Sequence, residues 1–393
     1  MADLKKYRRD TVTTHAGRDP QRHAGLVNTP VFRGSTVLFA DVESYEGRDP
    51  DDYKVMRYGI HGTPTTFALE EAIAQLEGGH AAVALPSGLA AIVAALAAYA
   101  RAGAHILVTD SVYGPTRNFC DKRLAPFGVE IEYYDPLIGA GIGRLLRPNT
   151  AAVFCEAPGS LTFEMQDIPA IAAAAHAKDI PVLADNTWGT PYFFRSFERG
   201  VDVSIHAGTK YISGHSDVML GLVVTNERQW LPVRRAVADY GFSTSADDCY
   251  LGLRGLRTIG VRMRHQQQSA LKVAQWLEAR PEVMRVLYPA LASDPGHALW
   301  KRDFSGAASL FGVILKPVAD TAVARLINSL ALFGIGSSWG GFESLAIRAD
   351  VRRSRTATQW NPGGPLLRLH VGLEDPDDLI ADLEQGFTAM ARA

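Results

Sequence analysis

Between residues 81 and 225, short apolar runs alternate with segments of helical character. Strands that alternate with helices favour an α/β domain with a mostly parallel sheet. In such a sheet, ligands bind beyond the carboxyl ends of the strands. The predicted strands are Ala81–Leu85, His105–Thr109, Val129–Tyr134, Ala151–Cys155, Pro181–Ala184, Val201–Ile205 and Val218–Thr225, and helices are predicted at Leu89–Ala100 and Ile168–Lys178.

The chain of 393 residues is long for one core, so more than one domain is predicted. Residues 61–255 form the predicted large α/β domain. Residues 256–393 form a predicted smaller α+β domain, and a long helix from about Leu253 to Arg280 connects the two. Further strands are expected near residues 283–287, 309–315 and 366–371, and helices near residues 319–330 and 377–391.

Residues 1–60 are polar, contain Pro20, Pro30 and Pro50, and show little periodicity. They are interpreted as an N-terminal arm that contacts a neighbouring subunit. The apolar residues 31–32 and 37–39 within the arm need a buried environment, which a segment this short cannot build for itself.

The composition excludes several classes of protein. Hydrophobic residues make up 47% of the chain and charged residues 21%, which is typical of a globular protein, and a net charge of −2 argues against a nucleic-acid binder. No apolar stretch is long enough for a membrane span. The three scattered cysteines, Cys120, Cys155 and Cys249, indicate neither a disulfide framework nor a metal site, and they favour a cytoplasmic location.

A single lysine, Lys210, follows the strand Val201–Ile205 in a turn of small residues. Small neighbours leave room for a bulky group, and a lysine amine can form a Schiff base with an aldehyde. Thr209 beside it could hold a phosphate oxygen. By residue type alone, a solvated surface lysine is the commoner case. The residues at the other strand ends therefore determine whether Lys210 is interpreted as a functional residue.

Three other strand ends carry residues that could bind the remaining parts of an aldehyde cofactor that has a phosphate and an aromatic ring. Ser87, Gly88 and Leu89 open a helix, and a helix N-terminus with a glycine offers free N–H groups to a phosphate. The ring of Tyr113 could lie against a flat heteroaromatic group, and Asp185 could pair with a protonated pyridine nitrogen. Each residue taken alone is also explained by a turn, packing or a helix cap. Together, the four neighbouring strand ends suit pyridoxal phosphate.

Seven motifs give the chain a family resemblance that runs from about Thr14 to the C-terminus. They are Tyr58-Gly59…Gly62-Thr63, Leu76-Glu77-Gly78-Gly79, Asp185-Asn186-Thr187-Trp188, Thr209-Lys210-Tyr211…Gly214-His215-Ser216-Asp217, Arg254-Gly255-Leu256-Arg257-Thr258, Ser338-Trp339-Gly340-Gly341-Phe342-Glu343-Ser344 and Leu367-Arg368-Leu369-His370-Val371-Gly372-Leu373-Glu374. The chain resembles the cysteine/methionine-metabolism family of pyridoxal-phosphate enzymes. This resemblance implies the aspartate-aminotransferase-like fold (fold type I) and pyridoxal 5'-phosphate as the cofactor.

The resemblance also implies roles for the cofactor residues. Lys210 would carry the cofactor and later move protons, and Asp185 would pair with the ring nitrogen. Tyr113 would stack on the ring, and its hydroxyl would help to deprotonate the substrate amine. The residues expected to hold the phosphate are Ser87, Gly88, Leu89 and Thr209.

Further implied roles concern the substrate and the assembly. Arg368 would bind the substrate α-carboxylate, with help from Ser338 and Trp339, because the planar guanidinium meets a carboxylate through two hydrogen bonds. Tyr58 would reach the cofactor and the substrate in the site of an adjacent subunit. The implied assembly is therefore at least a dimer, and a homotetramer is expected.

Two residues depart from the family pattern. Ile60 stands where relatives commonly have an arginine, and Ala207 stands where many have a serine. Both changes bear on how tightly the cofactor phosphate is held.

The implied reaction is β-cleavage of L-cystathionine to homocysteine, pyruvate and ammonia, a step of methionine biosynthesis. Trp339 resembles the β-lyase branch, because γ-lyases and γ-synthases more often have leucine there. Three alternatives stay open. They are a γ-lyase or γ-synthase, an enzyme with cysteine-desulfhydrase or alanine-racemase activity, and a cofactor-bound regulatory protein without turnover.

Overall fold

The computed structural model describes residues 4–49, 51–351 and 354–392. Residues 1–3 and 50 of the predicted arm, and residues 352, 353 and 393 of the predicted C-terminal domain, lie outside the described residues. The division into residues 1–60, 61–255 and 256–393 stays a prediction.

A seven-stranded sheet lies at the centre of residues 81–225. Its strands are β1 (Ala81–Leu85), β2 (His105–Thr109), β3 (Glu130–Tyr134), β4 (Thr150–Glu156), β5 (Val182–Asp185), β6 (Val203–His206) and β7 (Gly221–Thr225). The spatial order is β1-β7-β6-β5-β4-β2-β3, and β7 alone runs antiparallel to its neighbours. The predicted mostly parallel α/β sheet is confirmed, and each predicted strand end lies within three residues of the observed one.

The central strands read as continuous apolar runs because both faces of the sheet are covered. Along β2, Ile106 and Val108 belong to one hydrophobic core while Leu107 belongs to the other. The same alternation in β4 places Phe154 in one core and Val153 in the other. In β2 and β5, whose central residues are all apolar, the polar residues lie at the ends of the strands.

The described residues form thirteen α-helices and several shorter turns of helix. The α-helices are α1 (Arg9–His15), α2 (Val42–Glu46), α3 (Pro64–Glu77), α4 (Gly88–Ala97), α5 (Gly114–Phe119), α6 (Ile168–His176), α7 (Thr190–Phe193), α8 (Glu227–Asp239), α9 (Ala246–Leu256), α10 (Ile259–Glu278), α11 (His297–Asp303), α12 (Asp320–Ser329) and α13 (Pro376–Ala391). Short 3₁₀ turns lie at Leu4–Lys6, Pro20–His23, Gly59–His61, Ala125–Phe127, Gly139–Arg144 and Ser196–Arg199, and a π turn lies at Cys120–Leu124. Among the residues described, no helix has the length and apolar character needed to cross a membrane.

The long helix predicted from Leu253 to Arg280 was wrong, because α9 and α10 are separate helices. The chain tightens at Arg257 and Thr258, whose N–H groups donate to the carbonyls three residues earlier, at 3.2 and 3.1 Å. The Arg257 guanidinium then donates to the carbonyls of Thr13 and Ala16, each at 2.8 Å. The chain at the break therefore contacts the N-terminal segment, and local sequence does not reveal this contact.

A second sheet lies in the C-terminal part of the chain. It consists of β8 (Val283–Leu287), β9 (Leu310–Leu315), β10 (Leu345–Ala349) and β11 (Leu366–His370), in the order β10-β11-β9-β8, and all its pairs are antiparallel. Three of these strands were predicted from sequence and β10 was not. Helices α12 and α13 pack against each other beside this sheet.

Candidate active site

The carboxyl ends of the parallel strands meet at one edge of the large sheet. Sequence reasoning treated the four strand ends as direct neighbours, which was wrong. Strand β7 lies between β1 and β6, and β4 lies between β5 and β2. Because β7 is antiparallel, it begins at the same edge with Gly221, where a Cβ atom would lie only 2.1 Å from the carbonyl oxygen of Ser87. A glycine there keeps the two strand ends close together.

Lys210 lies four residues beyond the end of β6, in a partly buried position. Its Nζ donates a hydrogen bond of 2.6 Å to Ser338 Oγ. Burial and the charge of Arg368 lower the pKa of Lys210 to about 8, and the charge of Asp185 opposes the shift. A lowered pKa increases the neutral fraction of the amine, which is the form that attacks a carbonyl carbon or removes a proton.

Asp185 is the last residue of β5, and its carboxylate is joined to the Lys210 turn through Thr187. Its Oδ1 accepts from the Thr187 N–H at 3.0 Å and from the Thr187 hydroxyl at 2.5 Å. The same hydroxyl oxygen accepts from the Ala207 N–H at 2.9 Å. Burial raises the pKa of Asp185, while Thr187 and the charges of His206 and Lys210 oppose that rise. Both hydrogen bonds use Oδ1, so Oδ2 is left to accept from another donor.

Helix α4 presents its N-terminus at the end of β1. Ser87 Oγ caps the helix by accepting from the Ala90 N–H at 3.1 Å, which leaves the N–H groups of Gly88 and Leu89 without helical partners. Gly88 is required for close packing, because a Cβ there would lie 2.6 Å from the Ala207 Cβ. Together these features form a cradle for an anion.

Thr209 lies near this cradle, but its hydroxyl already has partners. Its Oγ1 donates to the Leu220 carbonyl at 3.2 Å and accepts from the Leu220 N–H at 2.9 Å. A contact with a phosphate would therefore take the hydroxyl proton away from the Leu220 carbonyl. The predicted role of Thr209 as a phosphate ligand stays a prediction.

Tyr113 follows β2 and has a half-exposed side chain. Its backbone N–H donates to Glu156 Oε2 at 2.7 Å, and Glu156 is the last residue of β4, in register with Asp185. Burial raises the pKa of Tyr113, and the charges of Asp185 and Glu156 raise it further. Sequence reasoning missed Glu156. Its signal was an acidic residue that ends an apolar strand, the same signal that identified Asp185.

Arg368 lies on β11, and its buried guanidinium is solvated by backbone carbonyls. It donates to the carbonyl oxygens of Gly336, Ser337 and Ser338 at 3.0, 3.1 and 2.9 Å. Burial lowers the pKa of Arg368 to about 10. Within the described part of the chain, no carboxylate forms an ion pair with Arg368, and its Nε has no hydrogen-bond partner. A buried cation without a counter-charge is suited to bind an anionic group.

The segment that carries Ser338 and Trp339 is held against Lys210 by Gly340. Gly340 has a φ of +82°, and a Cβ there would lie 3.0 Å from the Lys210 Cα. Its N–H donates to His370 Nε2 at 2.9 Å, and burial lowers the pKa of His370 to about 3, so the ring is neutral and can accept. Trp339 consequently lies with its ring centre 5.4 Å from Lys210 Nζ.

Tyr58 is placed differently from the other predicted site residues. It pairs with Thr36 in an isolated bridge and is half exposed. No hydrogen bond, ion pair or ring contact joins it to the other site residues described here. Its predicted role, in the site of a neighbouring subunit, stays a prediction. Ile60 lies in the same exposed segment.

The residues at this edge fit pyridoxal phosphate. The cradle at α4 matches a phosphate, the free oxygen of Asp185 matches a protonated ring nitrogen, and the Lys210 amine matches an aldehyde. Gly88 and Ala207 are both small, and a Cβ on Gly88 would fill the space between them at the helix N-terminus.

The model of the Cys/Met metabolism PLP-dependent enzyme family matches residues 10–388. The chain belongs to this family. It is 50% identical to the putative cystathionine beta-lyase of Rhizobium johnstonii, over 97% of this chain and 96% of the relative. It is 42% identical to the cystathionine beta-lyase of Escherichia coli K12, over 98% of this chain and 99% of the relative.

A crystal structure of metB from Corynebacterium glutamicum shares the fold. It superposes with a TM-score of 0.89 at 31% identity and covers 98% of this chain and 99% of its own. The predicted fold class is thereby confirmed, and membership of the family confirms pyridoxal phosphate as the cofactor. The roles of the individual site residues stay predictions.

The lowered pKa of Lys210 can be measured in the apoprotein. The rate at which Lys210 reacts with an amine-directed reagent should rise with pH around a midpoint near 8, because burial and Arg368 disfavour its charged form. Mass spectrometry of the Lys210 peptide after timed labelling gives this midpoint. The exposed Lys122, followed in the same digests, reports the reagent's own pH dependence. A midpoint for Lys210 at the ordinary lysine value of about 10.4 would contradict the geometry described above.

Proposed function

We propose that this protein is a pyridoxal-phosphate-dependent carbon–sulfur β-lyase that cleaves L-cystathionine to homocysteine, pyruvate and ammonia, a step of methionine biosynthesis. The observation that carries the proposal is the meeting of Lys210 and Arg368 at a single residue. Lys210 Nζ donates to the Ser338 hydroxyl, and Arg368 donates to the Ser338 carbonyl. An amino acid whose carboxylate binds Arg368 therefore brings its α-carbon near the Lys210 amine.

The proposed mechanism assigns one task to each group of this chain. Arg368 binds the α-carboxylate and orients the substrate. Lys210 removes the α-proton, a role that its pKa of about 8 suits. Tyr113, in its deprotonated form, accepts a proton from the substrate amine; burial disfavours that form and the charge of Arg368 favours it. When bound, pyridoxal phosphate supplies an electron sink for the charge that develops at the α-carbon.

The β-carbon–sulfur bond then breaks and the sulfur leaves as homocysteine, with a proton delivered from Lys210. The remaining three-carbon fragment hydrolyses to pyruvate and ammonia. In this scheme, Asp185 would keep the cofactor ring nitrogen protonated, and the N-terminus of α4 would bind the phosphate. The names of the two curated relatives support L-cystathionine as the substrate.

The proposed assembly is a homotetramer built from two active dimers. Its support is a set of exposed apolar side chains in the N-terminal segment, of which Leu38 is 90% exposed. The set comprises Leu26, Val27, Leu38, Val42, Tyr45 and Val55. A second copy of the chain would cover these side chains and would bring Tyr58, which lies in the same segment, to a neighbouring site.

The proposed location is the cytoplasm. Its support is that Cys120, Cys155 and Cys249 are free and buried. Free thiols are typical of proteins from reducing compartments.

Product analysis tests the proposed reaction. We expect purified protein with added pyridoxal phosphate to convert L-cystathionine to pyruvate and homocysteine, both identified by mass spectrometry. The Lys210→Ala variant should give no product, because it lacks the amine that removes the α-proton.

Other products would replace the proposal with one of the alternatives. 2-Oxobutyrate and cysteine would indicate γ-cleavage, and would remove the support that Trp339 gives to β-cleavage. Sulfide released from cysteine, or D-alanine formed from L-alanine, in place of cystathionine cleavage would indicate a desulfhydrase or a racemase. A yellow protein without turnover would indicate a cofactor-bound regulatory protein.

Arg368→Ala tests the carboxylate site. Loss of the guanidinium should weaken substrate binding by roughly 2–5 kcal/mol, because the α-carboxylate would then be buried without a partner. Steady-state kinetics should show this as a large rise in KM for L-cystathionine. An unchanged KM would remove Arg368 from the proposed role.

A further inference from the structure

Beneath the site lies a buried carboxylate that the proposed mechanism does not use. Glu77, the last residue of α3, is 1% exposed and accepts four hydrogen bonds. Its Oε1 accepts from Asn186 Nδ2 at 3.1 Å, from Ser196 Oγ at 2.7 Å and from Ser204 Oγ at 2.8 Å. Its Oε2 lies 2.6 Å from His206 Nε2. One side chain therefore connects three segments of the chain that are 109 to 129 residues away from it.

The donors lie directly beside the cofactor residues. Asn186 follows Asp185 at the end of β5, and Ser204 and His206 belong to β6, which leads into Lys210. The two strand ends are also paired by the Asn186 N–H, which donates to the Ile205 carbonyl at 2.8 Å. Ser196 is the exception, because it lies in the 3₁₀ turn Ser196–Arg199 and on neither strand.

The charge state of Glu77 is consistent with a role as an acceptor. Burial alone would raise its pKa, but the charge of His206 and the hydrogen bonds from His206, Ser196 and Ser204 lower it below the ordinary value. As a carboxylate it can accept all four hydrogen bonds. His206 Nδ1 is buried without a hydrogen-bond partner among the described residues, so Nε2 alone orients the imidazole ring.

We propose that Glu77 is a positioning residue for the cofactor site. Its carboxylate fixes the carboxyl ends of β5 and β6 relative to each other, and thereby sets the spacing between Asp185 and Lys210. The proposal rests on the proposed roles of those two residues in cofactor binding. Glu77 acts through Asn186 at the end of β5 and through Ser204 and His206 on β6.

Two matched substitutions separate positioning from general stabilisation. Ser204→Ala and Ser196→Ala each remove one hydroxyl from the same oxygen of Glu77, and both remove the 3.1 Å contact between the two serines. Ser204→Ala also removes a 3.2 Å contact with His206 Nε2, and Ser196→Ala removes a 3.0 Å contact with Asn186 Nδ2. Asn186 Nδ2 keeps its hydrogen bonds to Glu77 and to the Phe194 carbonyl in Ser196→Ala. Only Ser204 lies on β6. Both apoproteins should melt at similarly lowered temperatures, because each loses the same kind of buried hydrogen bond.

The positioning role predicts that the two variants differ in the bound cofactor. Ser204→Ala should change the visible circular dichroism of bound pyridoxal phosphate and raise its dissociation constant. It should also lower kcat with little change in KM. The expected effect is roughly tenfold, given that a misplacement of about 1 Å can cost roughly a hundredfold. Ser196→Ala should leave these three readouts near the wild-type values.

Equal effects of the two variants on the cofactor readouts, or no effect of either, would overturn the proposal. If an alanine variant does not fold, the pair Ser204→Cys and Ser196→Cys keeps the volume, weakens the same hydrogen bonds and is judged by the same comparison. Failure of the wild-type protein to bind pyridoxal phosphate or to cleave L-cystathionine would instead overturn the proposed function.

Discussion

The hydrogen bond from the Ala207 N–H to the Thr187 hydroxyl joins the ends of β5 and β6, the strands that lead to Asp185 and Lys210. On one side, Thr187 donates to Asp185, and on the other, Ala207 begins the turn that presents Lys210. Because β5 and β6 are parallel neighbours, their carboxyl ends already lie at the same edge of the sheet. This short hydrogen-bonded link converts that general proximity into a fixed arrangement of one carboxylate and one amine.

The C-terminal sheet supplies a buried cation, Arg368. Arg368 is buried among carbonyl oxygens and has no acidic partner in the described part of the chain, so an anion that binds there would compensate its charge. The same cation, together with burial, lowers the pKa of Lys210. Anion binding and the protonation state of the amine are thus physically linked, because a carboxylate at Arg368 offsets the charge that disfavours protonated Lys210.

Much of this arrangement could be predicted from sequence, since local patterns specify strands and their ends. The runs at β1 and β2 were predicted to the residue because polar residues or a proline stand at the ends of their apolar stretches. Lys210, Asp185 and Tyr113 were found as polar residues that follow such runs. Helix α4, which begins at Gly88 directly after β1, was predicted from the same kind of pattern.

Other features depend on contacts between distant parts of the chain. The insertion of β7 between β1 and β6, and the break between α9 and α10, leave no local trace in the sequence. Glu77 reads locally as the last residue of an ordinary helix, although it holds the strand ends at Asn186 and His206. Likewise, His370 supports the Gly340 turn from a strand thirty residues further along.

The most direct test of the account is to locate the cofactor on the chain. The protein loaded with pyridoxal phosphate would be reduced with sodium borohydride, digested, and analysed by mass spectrometry. The account predicts a phosphopyridoxyl group on the peptide that contains Lys210 and its loss in Lys210→Ala. A group attached to another lysine, or an unmodified Lys210 peptide from a protein that is yellow before reduction, would contradict it.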